Sequence, residues 1–401
     1  MSPRSLRLLS IVALVSLTIG AISLSQAYPL AFSAPAHAPA LSSATSTPAS
    51  ATTSSQALDV SAKSATTTKA TSTVAVRATS KSARKPQPIS APATSQTATA
   101  AEGVDQIVRI ANPYSFPAES PELANSTARA AVVNILCISQ GPIHSISGSG
   151  VIIDPRGIIL TNAHVGQYVM LAQNPDMHIS CTIRTGSPAQ AAWTASTLYL
   201  PPIWVSQHIA QFNTSSETET GDHDYAFLLI DGSATGQSLP STFPSLPVDT
   251  RNGVALTDDE VLIASYPAEF IGGMQVQNNL FAATSVATIG DVLSFTHGTV
   301  DLLQLPNVIE AQGGSSGGAV MNPWGHVVGI VTTTSEGATT ADRSLYALTL
   351  FYISSDLAAQ SGNSLASVLN GDLKAEQTSF DTSILPSLLG EYVSQLQNPQ
   401  Q

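Results

Sequence analysis

The stretch GSGVIIDPRGIILTNAHV, residues 148–165, sets the fold class of this chain of 401 residues. Two short apolar runs flank Asp-Pro-Arg-Gly, residues 154–157, a turn with proline at its second position and glycine at its fourth. This pattern predicts two neighbouring β-strands. Similar short runs, punctuated by glycine and proline, continue from about residue 104 to residue 357 with almost no helical periodicity. We therefore expect an all-β barrel or sandwich.

The chain changes character near its end. ISSDLAAQSG, residues 353–362, predicts a short helix that ends at Gly362. Residues 382–397 place five apolar side chains at helical spacing, namely Leu385, Leu388, Leu389, Tyr392 and Leu396. Such a stripe usually packs on its own domain, and the alternative is a helix that binds a partner.

The N-terminal quarter has a different composition. Residues 33–101 are almost entirely Ser, Thr, Ala and Pro with scattered Lys and Arg, which cannot bury enough apolar surface to offset chain entropy. Before them, Arg4 and Arg7 precede an apolar run, residues 8–24, and Ser25-Gln26-Ala27 offers small residues for cleavage. We expect a signal peptide or an uncleaved signal anchor at 1–27 and a disordered linker at 28–103. Either form takes the chain out of the cytoplasm, secreted or anchored.

Charge separates the same parts of the chain. Residues 1–103 carry eight basic and two acidic side chains, a net charge of +6, whereas residues 104–401 carry seven basic and 25 acidic side chains, a net charge of −18. An acidic globular part without a basic stripe offers little to phosphates. We expect no nucleic-acid binding, and contact with a membrane only through an N-terminal anchor.

Two cysteines, Cys137 and Cys181, lie in the strand-like runs NILCIS and HISCTIR. In an exported protein an isolated pair favours a disulfide, and the alternative is two buried thiols. Two cysteines without clustered histidines do not favour a metal site.

Three segments carry the residue types that acyl transfer needs, which are a nucleophile, a base and an acid that orients the base. His164 follows an apolar run, and Asp224 precedes the apolar strand YAFLLI. EAQGGSSGGAV, residues 310–320, holds two adjacent serines between glycines that let the backbone turn sharply. Each segment alone has an ordinary structural explanation, but together they favour a Ser-His-Asp hydrolase. Ser315 and Ser316 both fit a Gly-x-Ser-x-Gly frame, so this motif leaves the choice between them open.

LTNAHV, HDYAFLLI and GSSGGAV resemble the three active-site segments of trypsin-like, chymotrypsin-fold serine proteases. The stretch at 148–165 together with EVLIASYP and HVVGIVTTT looks most similar to the bacterial HtrA-like branch. The resemblance covers about residues 131–350. It implies two six-stranded antiparallel β-barrels over residues 104–360, followed by a C-terminal helical tail at 361–401. A C-terminal PDZ domain is not expected, because such a domain needs roughly 80 to 100 residues.

The resemblance also assigns the catalytic roles. In the family the nucleophilic serine is followed by Gly-Gly, which selects Ser316, with the backbone N–H groups of Gly314 and Ser316 as the oxyanion hole. His164 would be the general base and acid. Asp224 would orient it, because it directly precedes the strand. Ser315 stands where digestive proteases carry the aspartate that pairs with a new N-terminal amine, so that activation route is not expected here.

The resemblance extends to substrate binding. Glu310, six residues before Ser316, would line the primary specificity pocket and favour a basic side chain, or it is an ordinary strand acid. Thr332, Thr333 and Thr334 would offer backbone groups to an extended substrate strand. The interval before Asp224 contains extra chain, 198–221, which either shapes the cleft or is a solvent-exposed insertion.

We expect an exported serine endopeptidase that hydrolyses proteins or peptides through an acyl-enzyme and requires no cofactor or metal. The alternatives are a catalytically silent surface binding or adhesion module that kept the fold, and an HtrA-like stress protease with chaperone activity. The sequence leaves the oligomeric state open.

Overall fold

A computed structural model describes residues 99–100, 107–213, 221–295, 298–335, 337 and 339–397. These residues lie in one compact unit, Lys85–Gln401. The expected signal segment, 1–27, lies outside the described residues, and so does nearly all of the expected linker, 28–103.

Short strands dominate the described residues, with helices between and after them. The strands are β1 (Thr99–Ala100), β2 (Val132–Ser139), β3 (Ile146–Asp154), β4 (Ile158–Thr161), β5 (Ile179–Thr185), β6 (Gln190–Tyr199), β7 (Ala226–Ser233), β8 (Glu260–Ser265), β9 (Ala283–Thr288), β10 (Asp291–Ser294), β11 (Leu302–Pro306), β12 (Ala319–Met321), β13 (Val327–Thr334) and β14 (Ser344–Thr349). The α-helices are α1 (Pro121–Ala131), α2 (Ala163–Ala172), α3 (Pro202–His208), α4 (Gly273–Asn278), α5 (Leu350–Ser361), α6 (Leu365–Asn370), α7 (Leu373–Ser383) and α8 (Leu385–Gln397). Single 3-10 turns lie at Pro175–Met177, Ile209–Gln211 and Thr340–Asp342.

The first half of the fold is a closed barrel of six antiparallel strands in the order β2-β3-β4-β7-β6-β5. The predicted hairpin is β3–β4. The N–H of Gly157 donates to the carbonyl of Asp154 at 2.9 Å and closes the turn. Gly157 has φ +95, a conformation that glycine adopts without the strain of a Cβ atom. The hairpin ends at Thr161, three residues before His164.

The second half is a sheet of eight strands in the order β1-β10-β11-β14-β13-β12-β8-β9. The chymotrypsin-like all-β fold predicted from the resemblance is confirmed. The described strands of this half form an open sheet instead of a second closed barrel of six, and β1, from the chain before the barrels, adds one edge strand by pairing with β10. Both sheets are antiparallel and bury apolar cores.

Helices α1 and α2 interrupt the region that was expected to contain strands. Nearly every residue of α2 is buried in the core of the first barrel, so the helix has no polar face. A helix that is apolar on all sides gives no amphipathic stripe in the sequence. The absence of helical periodicity therefore did not exclude a helix here.

The C-terminal helices pack on the barrels. As predicted, α5 ends at Gly362, which adopts the left-handed conformation that closes many helices. Leu385, Leu388 and Tyr392 of α8 are buried in the core of the first barrel, and the Tyr392 hydroxyl donates to Gln167 of α2 at 2.8 Å. The apolar stripe therefore covers its own domain.

Cys137 of β2 and Cys181 of β5 lie directly opposite each other in the barrel and form a disulfide. The disulfide expected from the two cysteines is confirmed. Disulfides persist in oxidising compartments, which indicates an extracytoplasmic location. Among the described helices, none combines the length and apolar character required to cross a bilayer.

Replacing both cysteines with alanine is expected to destabilise the first barrel by about 2 to 5 kcal/mol, because the bridge restricts the unfolded chain across 44 residues. Chemical denaturation with and without reductant measures the change. The reduced wild-type protein should unfold close to the double variant, and reductant should leave the double variant unchanged. Equal stability of the oxidised wild type and the double variant would contradict this role for the bridge.

Candidate active site

His164 lies in the first turn of α2, immediately after β4. The first backbone N–H groups of a helix have no partner within the helix. Here the N–H of His164 donates to Oδ1 of Asp224 at 3.0 Å, so the aspartate carboxylate satisfies the helix end. Nδ1 of the same imidazole lies 2.9 Å from Oδ2 of Asp224. Because a carboxylate can only accept, Nδ1 carries the proton and Nε2 is the basic nitrogen.

Asp224 is fully buried in the turn that leads into β7. Besides the two bonds from His164, its Oδ2 accepts the hydroxyl of Thr332 at 2.7 Å, and its carbonyl accepts the side-chain amide of Asn162 at 3.0 Å. Burial alone would raise the pKa of Asp224, but the neighbouring imidazole and these hydrogen bonds hold the pKa below its usual value. The carboxylate is therefore an anion that fixes the orientation of the ring.

The two adjacent serines occupy different environments. Ser315 is completely buried, and its hydroxyl accepts from that of Ser265 at 3.1 Å. Ser316 lines the same cleft as His164, and its hydroxyl points to the carbonyl of Thr332 at 3.4 Å. The structure therefore brings Ser316, His164 and Asp224 together and leaves Ser315 in the core.

The turn that carries Ser316 is held against the first barrel by Ser149 of β3. The N–H of Ser149 donates to the carbonyl of Ser316 at 2.8 Å, and its hydroxyl donates to the carbonyl of Gly314 at 2.7 Å. Gly317 has φ +86, and a Cβ there would lie 2.1 Å from the carbonyl oxygen of Ser149. Only glycine fits this approach. Sequence reasoning missed Ser149, although a serine between two glycines in an apolar strand is a visible signal.

Gly313, at the rim of this turn, is held from two sides. Its carbonyl accepts the N–H groups of Ala268 at 2.8 Å and Glu269 at 3.1 Å, and its own N–H donates to Oε2 of Glu269 at 2.9 Å. Arg343 binds the Glu269 carboxylate with two nitrogens, at 2.7 and 3.1 Å. The hydrogen bond from Arg343 lowers the pKa of Glu269. We call Gly313, Glu269 and Arg343 the Gly313 clamp.

The expected substrate-binding residues lie at two places. Glu310 is fully buried, its Oε2 accepts the hydroxyl of Ser285 at 2.6 Å, and burial raises its pKa. It is not among the residues that line the cleft beside Ser316.

Thr332 is buried against Asp224, a contact that sequence reasoning missed. Thr333 and Thr334 pair with β14 on one side, whereas the pairing of β12 with β13 extends only to Ile330.

A cleft of about 210 Å³ opens beside Ser316 and His164, and we call it the α3 pocket. The inserted segment, 198–221, contributes a wall of this cleft through α3 and the 3-10 turn that follows it, and residues 214–220 lie outside the described part of the chain. This placement supports the first of the two interpretations of the insertion. The other lining residues include Gly313 and Gly314 from the serine turn and a set from the first half of the fold, namely His144, Ile146, Ser147, Val165, Gln167, Tyr168, Trp204, His208, Gln211, Phe212 and Asn213.

His223, next to Asp224, lies between two carboxylates. Its Nδ1 is 3.0 Å from Oδ2 of Asp356 on α5, and its Nε2 is 3.5 Å from Oδ1 of Asp222. Burial would lower the pKa of His223, but the hydrogen bond to Asp356 and the charges of both carboxylates raise it above the usual value. The hydroxyls of Tyr225 and Tyr352 donate to the same two carboxylates. This cluster ties α5 to the turn that carries Asp224.

His223→Asn is expected to lower thermal stability near pH 6 and to have a smaller effect near pH 9. The folded-state pKa of His223 exceeds the unfolded value of about 6.5, so its ion pairs stabilise the fold below that pH, and their contribution is lost as pH rises through the folded-state pKa. Asparagine tolerates the φ of +58 at this position.

Thermal melts across this pH range measure the effect. His178→Asn is a matched control, because His178 is exposed and also has a positive φ of +53. Because its side chain is exposed, this replacement should change the melting temperature little. A constant difference between the wild type and His223→Asn would contradict the ion-pair assignment.

Residues 148–330 match the model of the trypsin-like peptidase domain family, a little under half of the chain. The matched range begins at β3 and includes His164, Asp224 and Ser316, while Thr332–Thr334 and the C-terminal helices lie beyond it. No curated protein matches the chain with significant similarity. The fold and this match agree on a peptidase whose substrates are peptides. Residues 148–330 are therefore similar to the trypsin-like peptidase domain, and the described part of the chain has the chymotrypsin-like fold of serine proteases.

Proposed function

We propose that this protein is an exported serine endopeptidase in which Ser316, His164 and Asp224 form the catalytic triad. The observation that carries the proposal is the arrangement around the Asp224 carboxylate, which orients His164 in the cleft that Ser316 lines. The disulfide and the signal-like N-terminal sequence support export.

The acylation step follows from the protonation states of the site. Nε2 of His164 takes the hydroxyl proton as Ser316 Oγ attacks the peptide carbonyl, and the buried Asp224 carboxylate stabilises the imidazolium that forms. His164 then gives this proton to the leaving amine, which breaks the peptide bond and leaves an ester on Ser316. A water activated by His164 hydrolyses the ester in the second half of the reaction.

The backbone N–H groups of Gly314 and Ser316 are the donors we assign to the oxyanion hole. The carbonyl of Gly313 is bound by Ala268 and Glu269. Because a trans peptide plane places its C=O and N–H on opposite sides, this contact directs the N–H of Gly314 away from residues 268–269. These two backbone contacts, supported by the Glu269 side chain that holds the N–H of Gly313, therefore supply the orientation that an aspartate at the Ser315 position supports in digestive proteases. They do so without a newly cut N-terminus.

The acyl part of the substrate is assigned to the free edge of β13. Thr333 and Thr334 lie beyond the pairing with β12, and no described strand pairs with them on that side, so an added substrate strand could bind their backbone groups. Binding by strand addition recognises the backbone and accepts many sequences. The account needs no cofactor for any of these steps.

Ser316→Ala is expected to reduce kcat for peptide or ester hydrolysis on the order of 10⁶-fold, and Asp224→Asn by about 10⁴-fold, because the second leaves the nucleophile but favours the wrong imidazole tautomer. Ser315→Ala is the matched control and should retain most of the activity. Rates are compared after circular dichroism shows that each variant is folded. Loss of activity in Ser315→Ala together with full activity in Ser316→Ala would overturn the assignment.

Variants of the clamp are expected to lower kcat with little change in KM, because the Glu269 side chain holds the N–H of Gly313 and so supports the turn that carries the transition-state donors, while the backbone contacts to the Gly313 carbonyl remain. Glu269→Gln keeps an acceptor for the N–H of Gly313 but loses the ion pair with Arg343, whereas Glu269→Ala loses both. The expected order of kcat is wild type, Glu269→Gln, Glu269→Ala. Each loss should be smaller than the roughly 10²- to 10³-fold cost of removing an oxyanion donor. A wild-type kcat in Glu269→Ala would show that the turn holds its shape without the clamp.

A further inference from the structure

The inserted segment at α3 forms a fixed wall. Phe212 packs edge-on against Tyr392 of α8 at 4.8 Å and lies 6.0 Å from Tyr168 of α2, measured between ring centroids. Trp204 is buried and stacks with His208 at 4.7 Å. The segment is therefore anchored on two helices of the first half of the fold.

Asn213 joins this wall to the loop between β2 and β3. Its side-chain carbonyl accepts the backbone N–H of His144 at 3.0 Å and lies 2.7 Å from Nδ1 of the same residue, while its amide donates to the carbonyl of Pro142 at 3.0 Å. The Tyr168 hydroxyl lies 2.5 Å from Nε2 of His144. These contacts join three of the residues that line the α3 pocket, namely His144, Tyr168 and Asn213.

The α3 pocket lies beside His164, and this position indicates which part of a bound substrate enters the pocket. His164 delivers its proton to the leaving amine, so the residues after the cleaved bond start beside this ring. The acyl part lies along β13, and the lining of the pocket contains residues of α2 but none of β13. A substrate bound in this way directs its first residues after the cleaved bond into the α3 pocket.

The chemistry of the lining selects a class of side chain. Of the described residues that line the pocket, none is Asp, Glu, Lys or Arg. Aromatic rings and imidazoles form much of the wall. A charged side chain entering such a pocket would lose hydration without gaining an ion pair, whereas an aromatic ring would bury apolar area and gain ring contacts.

We propose that the α3 pocket is a specificity site for an uncharged aromatic side chain within the first two residues after the cleaved bond. This inference rests on the proposed function, since it requires an acyl-enzyme at Ser316. It adds a preference on the leaving-group side of the bond, where the insertion supplies one wall of the pocket.

Partitioning of one acyl-enzyme among different amines tests the inference directly. A p-nitrophenyl ester of a protected amino acid acylates Ser316, and an added dipeptide amide then competes with water for the ester. The amine nitrogen bonds to the acyl carbon, the Ser316 oxygen leaves, and the proton passes through His164 to that oxygen. Phe-Gly-amide and Gly-Phe-amide are compared with Gly-Gly-, Asp-Gly- and Lys-Gly-amide, with the same acyl group throughout.

At least one phenylalanine nucleophile should exceed Gly-Gly-amide in the ratio of aminolysis to hydrolysis by about tenfold or more, as expected for burial of an aromatic ring. The aspartate and lysine nucleophiles should not exceed Gly-Gly-amide. In His208→Ala and in Trp204→Ala the ratio for phenylalanine should fall towards that for glycine. Phe281→Ala removes an exposed aromatic side chain outside the pocket and should retain the wild-type ratio and ester hydrolysis.

Ester turnover with equal ratios for all nucleophiles would overturn the pocket assignment and leave the protease proposal intact. A phenylalanine preference that persists in both His208→Ala and Trp204→Ala would place the aromatic site elsewhere and also overturn it. If no p-nitrophenol burst or turnover occurs in folded protein, the acyl-enzyme itself is excluded and the pocket proposal falls with it. Trp204 is buried, so its replacement disturbs the fold more than His208→Ala does. The result for His208→Ala therefore tests the pocket even if Trp204→Ala fails to fold.

Discussion

The buried carboxylate of Asp224 is the constraint on which the site depends. A fully buried anion is tolerated only when hydrogen bonds and a cationic or polar partner replace its lost hydration. Those partners come from α2 in the first half of the fold and from Thr332 on β13 in the second. The hydrogen bonds to this one carboxylate therefore join the two halves of the fold and also fix the orientation of the His164 imidazole. The contact that satisfies the buried carboxylate is thus the same contact that the proposed catalysis requires.

The second constraint is the lack of space around the serine turn. Ser149 bonds to two carbonyls of the turn, and Gly317 lies so close to Ser149 that no side chain fits. The turn is thereby fixed relative to β3, and Ser315 is buried beneath it. The Gly313 clamp then holds the outer part of the turn through residues far apart in the chain. In the proposed mechanism, contacts within the folded domain position the oxyanion donors without a newly cut N-terminus.

Local sequence patterns predicted much of the fold. The β3–β4 hairpin was predicted from apolar runs around a proline–glycine turn, the end of α5 from Gly362, and the disulfide from two cysteines in strand-like runs. Helix α2 was missed because nearly all its side chains are buried, which removes the polar face that marks a helix. The edge strand β1 was missed because the segment that forms it lies far from β10 in sequence.

In the candidate site, too, the residues with local sequence signals were predicted and their distant partners were not. His164, Asp224 and Ser316 stand at strand ends and glycine turns, which are local signals. The partners that position them are not local: Glu269 and Arg343 are 74 residues apart, and Thr332 is 108 residues from Asp224. Such pairs leave no periodic pattern in a single sequence. Helix α3 was not predicted, because a seven-residue helix is too short to give a clear period, although a role of the insertion in shaping the cleft was one of its two interpretations.

Labelling with a fluorophosphonate probe, followed by peptide mapping of the modified residue, tests the central claim most directly. Such a probe reacts with a serine only when a base activates it and an oxyanion hole receives the new charge. The account predicts rapid labelling at Ser316 that is lost in His164→Ala and strongly reduced in Asp224→Asn. Labelling at Ser315, or no labelling of folded protein at Ser316, would contradict it.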